Sequence, residues 1–424
     1  MGIGFSLTKK IIQNKTYQYF PVGRSILTYV MEKGKRILSI DIMRGFNLVL
    51  MLFVNDLYMP GVPGWLGHTK GDFDGMGLAD WVFPGFMFMV GMSIPYSVGN
   101  RIARGEDKTT ILKHVLVRAG SLLIIGVLMA NSRNVGPEYT GMTKSLWSMI
   151  MYTGVFLIWF NYDNTKWNKV TIYGLQILGV LMILPMVYIY RSPDDDAFRF
   201  NSWGILGTIG WGSLIAGLVY VWFRDNITKT AIVVMFFLLL NILSKLHFLD
   251  FLRPLRIVMG PVINGNAPFI VLSGMLITLI LKKYATENAL KTILIIASLG
   301  VLSIAAGFML RPWFIISKIQ ATPTWGLICN GISMLLFVLL FWIIDIMKKI
   351  NWSLFLRPAG ANSLTVYLVP DMFYYIIWQF SLPFLFYKHL PEPGMVILGS
   401  IVWALIMGVG LPIVLEKINF RLKL

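Results

Sequence analysis

Long apolar segments alternate with short polar connections along the chain from residue 37 to residue 415. Twelve such segments can be distinguished, at 37–59, 80–99, 111–130, 146–161, 169–189, 204–223, 230–247, 265–281, 291–310, 325–346, 359–380 and 394–415. About 20 apolar residues in a helix cross about 30 Å of hydrocarbon, whereas a membrane barrel would show short strands of alternating polarity. The pattern therefore predicts an all-α polytopic membrane protein with about twelve transmembrane helices.

Two of the twelve segments fit this pattern less well than the others. The segment 146–161 is short, and the segment 359–380 is interrupted by Pro370 and Asp371. No internal repeat is evident, and no connection is long enough for a separate soluble domain. We expect one transmembrane domain over 36–424, preceded by a polar and basic cytoplasmic extension over 1–35 that lacks the apolar core of a signal peptide.

Composition agrees with this class, because 56% of the residues are hydrophobic and only 13% are charged, against about 25% charged in soluble domains. The net charge is +17. In such a protein, excess lysines and arginines are typical of cytoplasmic loops, so this charge does not indicate nucleic-acid binding. Connections on the side of the N-terminus hold 23 of the 37 lysines and arginines, and those on the opposite side hold 11. Both termini are therefore predicted to be cytoplasmic. The lone cysteine, Cys329, excludes a disulfide framework.

The first apolar segment contains three polar residues that a bilayer tolerates poorly. Asp41, Arg44 and Asn55 fall within about 60° of one another at about 100° per residue, with Asn55 about 16 Å outward of Arg44. They could line a polar passage. Alternatively, Asp41 and Arg44 reach the cytoplasmic headgroups, and Asn55 serves the end of its helix.

The external connection after this segment carries His68 among several other polar groups. Asn55 and Asp56 precede it, and Asp72, Asp74 and Asp80 follow. An imidazole titrates at about pH 6.5 and suits proton transfer at neutral pH, and nearby carboxylates orient it. A zinc or manganese site is the competing interpretation, although one histidine without close ligand spacing is a weak metal signal. Asp80 could also simply be the N-cap of the second helix.

Arg118 lies about five residues inside the third apolar segment, near the cytoplasmic side. The connection 100–114 before it is basic. Arg118 either extends to the lipid headgroups or faces an anionic cofactor, and the residues alone do not decide between these alternatives.

The residues on both sides of His68 form a recognisable pattern. The run "RILSIDIMRGFNLVLMLFVN" is followed by a histidine and then by "DGMGLADWVFPGFMFMVGMSIPYSV". Over 36–99 this resembles the heparan-α-glucosaminide N-acetyltransferase family and its bacterial relatives. The family pattern is matched by Arg36, Ser39, Asp41, Arg44, Gly45, Asn55, His68, Asp80, Phe83, Pro84, Phe86, Gly91 and Ser93. Fainter similarity follows at "PTW" (323–325), Asp345 and "GANSLTVYL" (360–368).

The resemblance implies a membrane acyltransferase with a core of ten helices, placed in the inner (cytoplasmic) membrane of a bacterium. Acetyl-CoA would be the co-substrate from the cytoplasm, with no metal. An amino sugar or glycan would accept the acetyl group on the external side. Whether the protein is a homodimer is left open.

The resemblance also assigns residues to roles. His68 would be the base or the acetyl carrier, and Asn55 would stabilise the oxyanion, with Asp80 as the third catalytic residue. Coenzyme A would be bound by a second set of residues, which comprises Arg44, Arg118, Asp41 and Asn362. Guanidinium groups suit phosphates, which supports the two arginines.

The chain departs from the family pattern in two places. It reads "HTKGDFDG" where the family usually has H-x-x-W-x-G, and its twelve segments exceed the family core by about two, within 169–247. A secondary transporter is the main alternative function, since buried charges suit ion or proton sites. A non-catalytic sensor that keeps the membrane core is the third.

Overall fold

The computed structural model describes residues 37–59, 62–163, 165–201, 203–285, 288–390 and 392–424. A helix lies at each of the twelve predicted segments. We label them α1 (Leu38–Asp56), α2 (Leu78–Ala103), α3 (Lys108–Ser132), α4 (Lys144–Trp159), α5 (Lys169–Ile189), α6 (Gly204–Phe223), α7 (Ile227–Lys245), α8 (Asn266–Tyr284), α9 (Ala289–Leu310), α10 (Pro323–Phe341), α11 (Ser363–Gln379) and α12 (Pro393–Leu405). Both α10 and α12 continue through a π-helical turn, at Trp342–Ile346 and Ile406–Gly410.

The chain is an all-α polytopic membrane protein, as the apolar pattern predicted. Within the described ranges, ten helical stretches are long and apolar enough to cross a membrane. The helices α4 and α11, with 16 and 17 residues, are shorter, so twelve crossings and the cytoplasmic side of the termini stay predictions. The predicted extension over 1–35 lies outside the described residues.

Helix α2 lies inside the bundle and packs against α1, α6 and α8. Two glycines let the backbones of α2 and α8 meet: a methyl group on Gly91 would lie 1.8 Å from the carbonyl oxygen of Val271, and one on Gly274 would lie 2.0 Å from that of Phe88. Small residues permit such close approach in membrane helices. The helices α5 and α9, in contrast, expose leucines such as Leu181 and Leu302, as expected of a lipid-facing surface.

We call the end of the bundle at which α1 begins the inner end and the opposite end the outer end, in line with the predicted orientation. A second glycine contact fixes α1 at the inner end. Methyl groups on Gly45 and Gly360 would lie 2.1 Å from the Leu356 carbonyl oxygen and 1.9 Å from the Asp41 carbonyl oxygen, respectively. The backbone of α1 therefore touches the backbone of the short helix Arg357–Ala361. This contact fixes the position of α1, and therefore of its polar residues, along the axis of the bundle.

At the opposite, outer end of the bundle, the connection before α2 packs against the connection before α10. Asp74 accepts a hydrogen bond from the backbone N–H of Ile316 (2.8 Å) and one from Arg311 Nε (2.9 Å). The carbonyl oxygen of Gly71 accepts from Ser317 Oγ (3.0 Å). The backbone N–H group of Ile316 is the main cause that lowers the pKa of Asp74 below its ordinary value of 3.8. We call residues 62–77 the histidine loop and residues 311–322 the docking loop.

Replacing Gly45 by valine should destabilise the bundle. The new side chain would collide with the backbone of residue 356, and overpacking of this kind costs about 1–3 kcal/mol. Thermal unfolding in detergent measures the effect. Gly120→Val is the matched control, because nothing lies within 4 Å of a methyl group there. Equal melting temperatures for the two variants would contradict the close approach of α1 and helix 357–361.

Asp74→Asn should loosen the histidine loop from the docking loop. The ion pair with Arg311 is partly exposed, so we expect amide hydrogen exchange at Ile316 to rise roughly two- to fivefold. A carboxylate whose pKa is lowered in the folded state stabilises that state above its ordinary pKa, and this stabilisation is lost as the pH falls through the lowered value.

Exchange in the unmodified protein should therefore approach that of the variant only below about pH 4. Asp72→Asn is the control, since Asp72 is exposed and has no hydrogen bond to the docking loop. Similar exchange in both variants at neutral pH would show that Asp74 does not hold the two loops together.

Candidate active site

His68 and Asp80 form a hydrogen-bonded pair at the outer end of α2. Nδ1 of His68 lies 3.0 Å from Oδ1 of Asp80, and the exposed side-chain fractions are 46% for His68 and 1% for Asp80. The carboxylate is thus buried behind an imidazole that remains open to solvent. With Nδ1 held by a carboxylate, the other ring nitrogen is available as a base or nucleophile.

The orientation of Asp80 is fixed by a set of donors on its second oxygen. Oδ2 accepts from the backbone N–H and the hydroxyl of Thr69, both at 3.0 Å, and from the backbone N–H of Gly77 at 3.1 Å. The N-cap interpretation of Asp80 is wrong in position, because Gly77 is the N-cap of α2 and Asp80 is its third residue. Asp80 still serves the helix start, since one of its oxygens accepts from the backbone N–H of Gly77, while the other oxygen contacts His68. Its role in catalysis stays a prediction.

A second histidine–aspartate pair at the same end of the bundle shows what distinguishes the first one. Nδ1 of His247 lies 3.1 Å from Oδ2 of Asp250. Both of these side chains are mostly exposed, at 80% and 54%. An exposed pair of this kind is weak, whereas the carboxylate of Asp80 is buried and is held in one orientation by its other hydrogen bonds.

Lys318 of the docking loop completes the cluster, and the sequence analysis missed it. Its Nζ lies 3.1 Å from His68 Nδ1, 3.3 Å from the Ala79 carbonyl oxygen and 3.8 Å from Asp80 Oδ1. Burial lowers the pKa of Lys318, and the nearby carboxylate of Asp80 opposes this shift. Lysines in connecting loops are ordinarily solvated, so nothing in the sequence singled out a residue 250 positions from His68.

Of the polar residues expected around His68, Asp80 is its partner. Asp56 is fully buried but bonds to Tyr374, Tyr387 and Lys388 instead. Asp74 binds the docking loop, and Asp72 is exposed. Asn55 is exposed at the outer end of α1, and no hydrogen bond joins it to His68 or Asp80. Its proposed role in catalysis stays a prediction.

Two of the predicted cofactor residues line a cavity at the inner end of the bundle. Its volume is about 220 Å³, and Arg44, Ser93, Asn100, His114, Arg118 and Ser213 are among its lining residues. Arg44 is buried, with Nη2 3.1 Å from Asp41 Oδ1 and Nη1 3.4 Å from Ser93 Oγ. Asp41 and Arg44 therefore form an ion pair inside the bundle. Arg118 is exposed and presents a second guanidinium to the same cavity.

A second cavity of about 60 Å³ continues outward from the first, and both are lined by Arg44, Val90, Ser93 and Arg118. It reaches Met51 on α1 and Phe86 on α2. At 1.5 Å per residue, Ser93 lies about 20 Å from Asp80 along α2, whereas Phe86 lies only about 9 Å from it. The second cavity thus crosses about half of the distance between the arginines and His68.

The predicted polar stripe is only partly correct as a description of this passage. On α1, the second cavity is lined by Arg44 and Met51, and Asn55 lines neither cavity. Asn362 lies at the junction of helix 357–361 and α11. Its neighbours Ser363 and Leu364 line the second cavity, so a direct contact of Asn362 with a cofactor also stays a prediction.

A protein metal site needs several ligand side chains close together. No group of three or more His, Cys, Asp or Glu side chains in the described part of the chain could hold a metal ion. Beside His68, Oδ2 of Asp80 already accepts three hydrogen bonds.

Comparison with known proteins agrees with the resemblance in the first part of the chain. Residues 36–247, half of the sequence, match the family described as "Domain of unknown function (DUF5009)". The chain is 38% identical over 174 residues to mouse heparan-alpha-glucosaminide N-acetyltransferase, which covers 40% of this chain and 22% of the mouse protein. The human protein of that name is 36% identical over 167 residues, covering 38% and 21%. The chain thus matches about a fifth of the length of these relatives. It belongs to the DUF5009 family and is a divergent relative of heparan-alpha-glucosaminide N-acetyltransferase.

Proposed function

We propose that this protein transfers an acetyl group from cytoplasmic acetyl-CoA to the amine of an amino sugar or glycan at the outer face of an inner membrane. The observation that carries the proposal is the arrangement along α2. A cavity with two arginines lies at one end, and a histidine with a buried carboxylate partner lies at the other. Donor and acceptor would approach from opposite sides.

The inner cavity suits the donor. Coenzyme A combines a highly charged phosphate head with a slender arm that ends in the thioester. Arg118 and Arg44 would contact the phosphates, since guanidinium groups bind phosphate through paired hydrogen bonds. The arm would extend into the second cavity, which is lined by Phe86, Val90 and Leu206. The ion pair of Arg44 with Asp41 keeps the guanidinium at the junction of the two cavities.

An unusual polar group lies beside α2 next to Phe86, which lines the second cavity. Asn47 is fully buried, and neither atom of its side-chain amide has a hydrogen-bond partner within the described structure. It lies beside Gly85, where a methyl group would be 3.2 Å from its Nδ2. An unpartnered amide costs about 1–3 kcal/mol. The amide groups of the pantetheine arm would supply the missing partner as the arm passes.

The chemistry at the outer end is an acyl transfer. The acceptor amine attacks the thioester carbonyl carbon, a C–N bond forms, and the C–S bond breaks to leave the thiol of coenzyme A. His68 takes the amine proton at Nε2 and returns it to the departing sulfur, while Nδ1–H donates to Asp80. In the two-step version, Nε2 first carries the acetyl group and then passes it to the amine. In either version Asp80 stabilises the imidazolium character that develops on the ring.

His68→Ala should lower acetyl transfer to glucosamine by about 10²–10⁴-fold, the range ascribed to general acid–base catalysis. Asp80→Asn should also lower it, because the ring loses its ionised partner. Turnover is measured as acetylated product by mass spectrometry in sealed vesicles that contain acetyl-CoA.

The matched control is His247→Ala, which breaks the exposed histidine–aspartate pair and should leave turnover unchanged. Unaltered turnover in His68→Ala would remove His68 from the mechanism. Uptake of glucosamine that remains unmodified would favour the transporter alternative.

Arg118→Ala should raise the KM for acetyl-CoA roughly tenfold with a smaller change in kcat, because a hydrogen bond to a charged group contributes about 1.5–3 kcal/mol. Lys349→Ala removes one positive charge from an exposed position at the inner end of the bundle and serves as the control. An equal rise in KM for both variants would indicate general electrostatic attraction and would contradict a specific contact.

A further inference from the structure

We propose that Lys318 selects the tautomer of His68 and thereby controls whether Nε2 can act as a base. The consequence for catalysis rests on the proposed function. The tautomer itself follows from the geometry of three side chains from separate parts of the chain, namely the histidine loop, α2 and the docking loop.

Two partners compete for one atom. His68 Nδ1 lies 3.0 Å from Asp80 Oδ1 and 3.1 Å from Lys318 Nζ, while these two partners lie 3.8 Å from each other. An imidazole nitrogen has one in-plane hydrogen-bonding position, which either donates or accepts. Lysine can only donate and an ionised carboxylate can only accept. Nδ1 therefore serves one of these partners at a time.

Each partner enforces a different tautomer. When Nδ1 is protonated, it donates to Asp80, and the lone pair of Nε2 is free to take a proton or an acetyl group. When Lys318 donates to Nδ1, the ring proton must lie on Nε2, which can then act neither as a base nor as a nucleophile. The tautomer of a histidine is set in general by the hydrogen bond at its other nitrogen.

Its surroundings keep Lys318 beside His68 and also provide other hydrogen-bond acceptors for its Nζ. Its side chain is only 22% exposed, and the carbonyl oxygen of Ala79 accepts from it at 3.3 Å. Charged and titratable groups of its environment include Asp80 on α2, Arg133 after α3 and Cys329 on α10. Oδ2 of Asp80 is occupied by three donors, so Oδ1 and the Ala79 carbonyl oxygen are the nearby acceptors that remain for Lys318 when it leaves Nδ1.

Because Lys318 lies on the docking loop, a movement of this loop would change which partner bonds to Nδ1 of His68. The docking loop contacts the histidine loop through Gly71, Asp74 and Gly75. A shift of the docking loop that withdraws Nζ from Nδ1 leaves Asp80 as the single partner and frees Nε2. Binding of an acceptor at the outer face could produce such a shift, because both loops lie there.

The test is the tautomer itself, read from the ¹⁵N chemical shifts of labelled histidines in the full chain in nanodiscs at neutral pH. His68→Ala assigns the signal. In Lys318→Met, the ratio of Nε2–H to Nδ1–H tautomer at His68 should fall by about tenfold or more, the effect of removing one charged hydrogen bond. Lys318→Arg keeps a charged donor and should largely restore the ratio.

Lys388→Met is the matched control, because Lys388 also pairs with a fully buried aspartate, Asp56, at the outer end (2.8 Å). It should leave the His68 ratio unchanged. An unchanged ratio in Lys318→Met would overturn the inference, as would an equal change in Lys388→Met.

A variant of the competing partner, Asp80, tests the inference if Lys318→Met does not fold. Asp80→Asn removes the ionised acceptor and should raise the share of the Nε2–H tautomer, and a fall in that share would overturn the inference. Acetyl transfer by the unmodified protein is measured in the same samples. A tautomer shift without any transfer would support the role of Lys318 and remove the proposed function.

Discussion

The buried carboxylate of Asp80 is the interaction on which the outer half of the structure depends. A carboxylate near the hydrocarbon is costly unless it is paired and hydrogen-bonded. Asp80 meets this requirement with hydrogen bonds from Thr69, Gly77 and His68 and with the nearby positive charge of Lys318. The same groups tie the histidine loop to the first turn of α2 and bring the docking loop beside it. The groups that offset the cost of burying the Asp80 carboxylate are therefore also the groups that form the candidate site.

The inner half of the structure follows a similar rule. Arg44 is held inside the bundle by Asp41 and Ser93, and it lines both cavities. The close contact of Gly45 with the backbone at Leu356 fixes the position of Arg44 along the axis of the bundle. One continuous helix, α2, runs past both clusters, so the distance between the arginine cavity and His68 is set by the length of that helix. The proposed reaction across a membrane would require such a fixed distance.

Much of the fold could be predicted because the solvent imposes it. Hydrocarbon requires long helices with internally satisfied backbones, and the twelve apolar segments agree with the twelve helices within a few residues. The pairing of His68 with Asp80 was also accessible, since both residues lie on one short connection and its following helix. Asp56 was expected in the same group and was placed wrongly, because adjacent residues at a helix end point in different directions. Its partners Tyr374 and Tyr387 lie more than 300 residues away.

The sequence by itself determined the class of protein, the positions of its helices, and the histidine and arginines at its two polar clusters. Composition and periodicity are local properties, and they are sufficient for such conclusions. Only the tertiary structure decided which polar groups meet. Lys318, Asn47 and the glycine contacts acquire their importance from neighbours on other helices. The packing of α2 against α1 and α8, and of the docking loop against the histidine loop, brings these groups together, and no spacing within one segment encodes that packing.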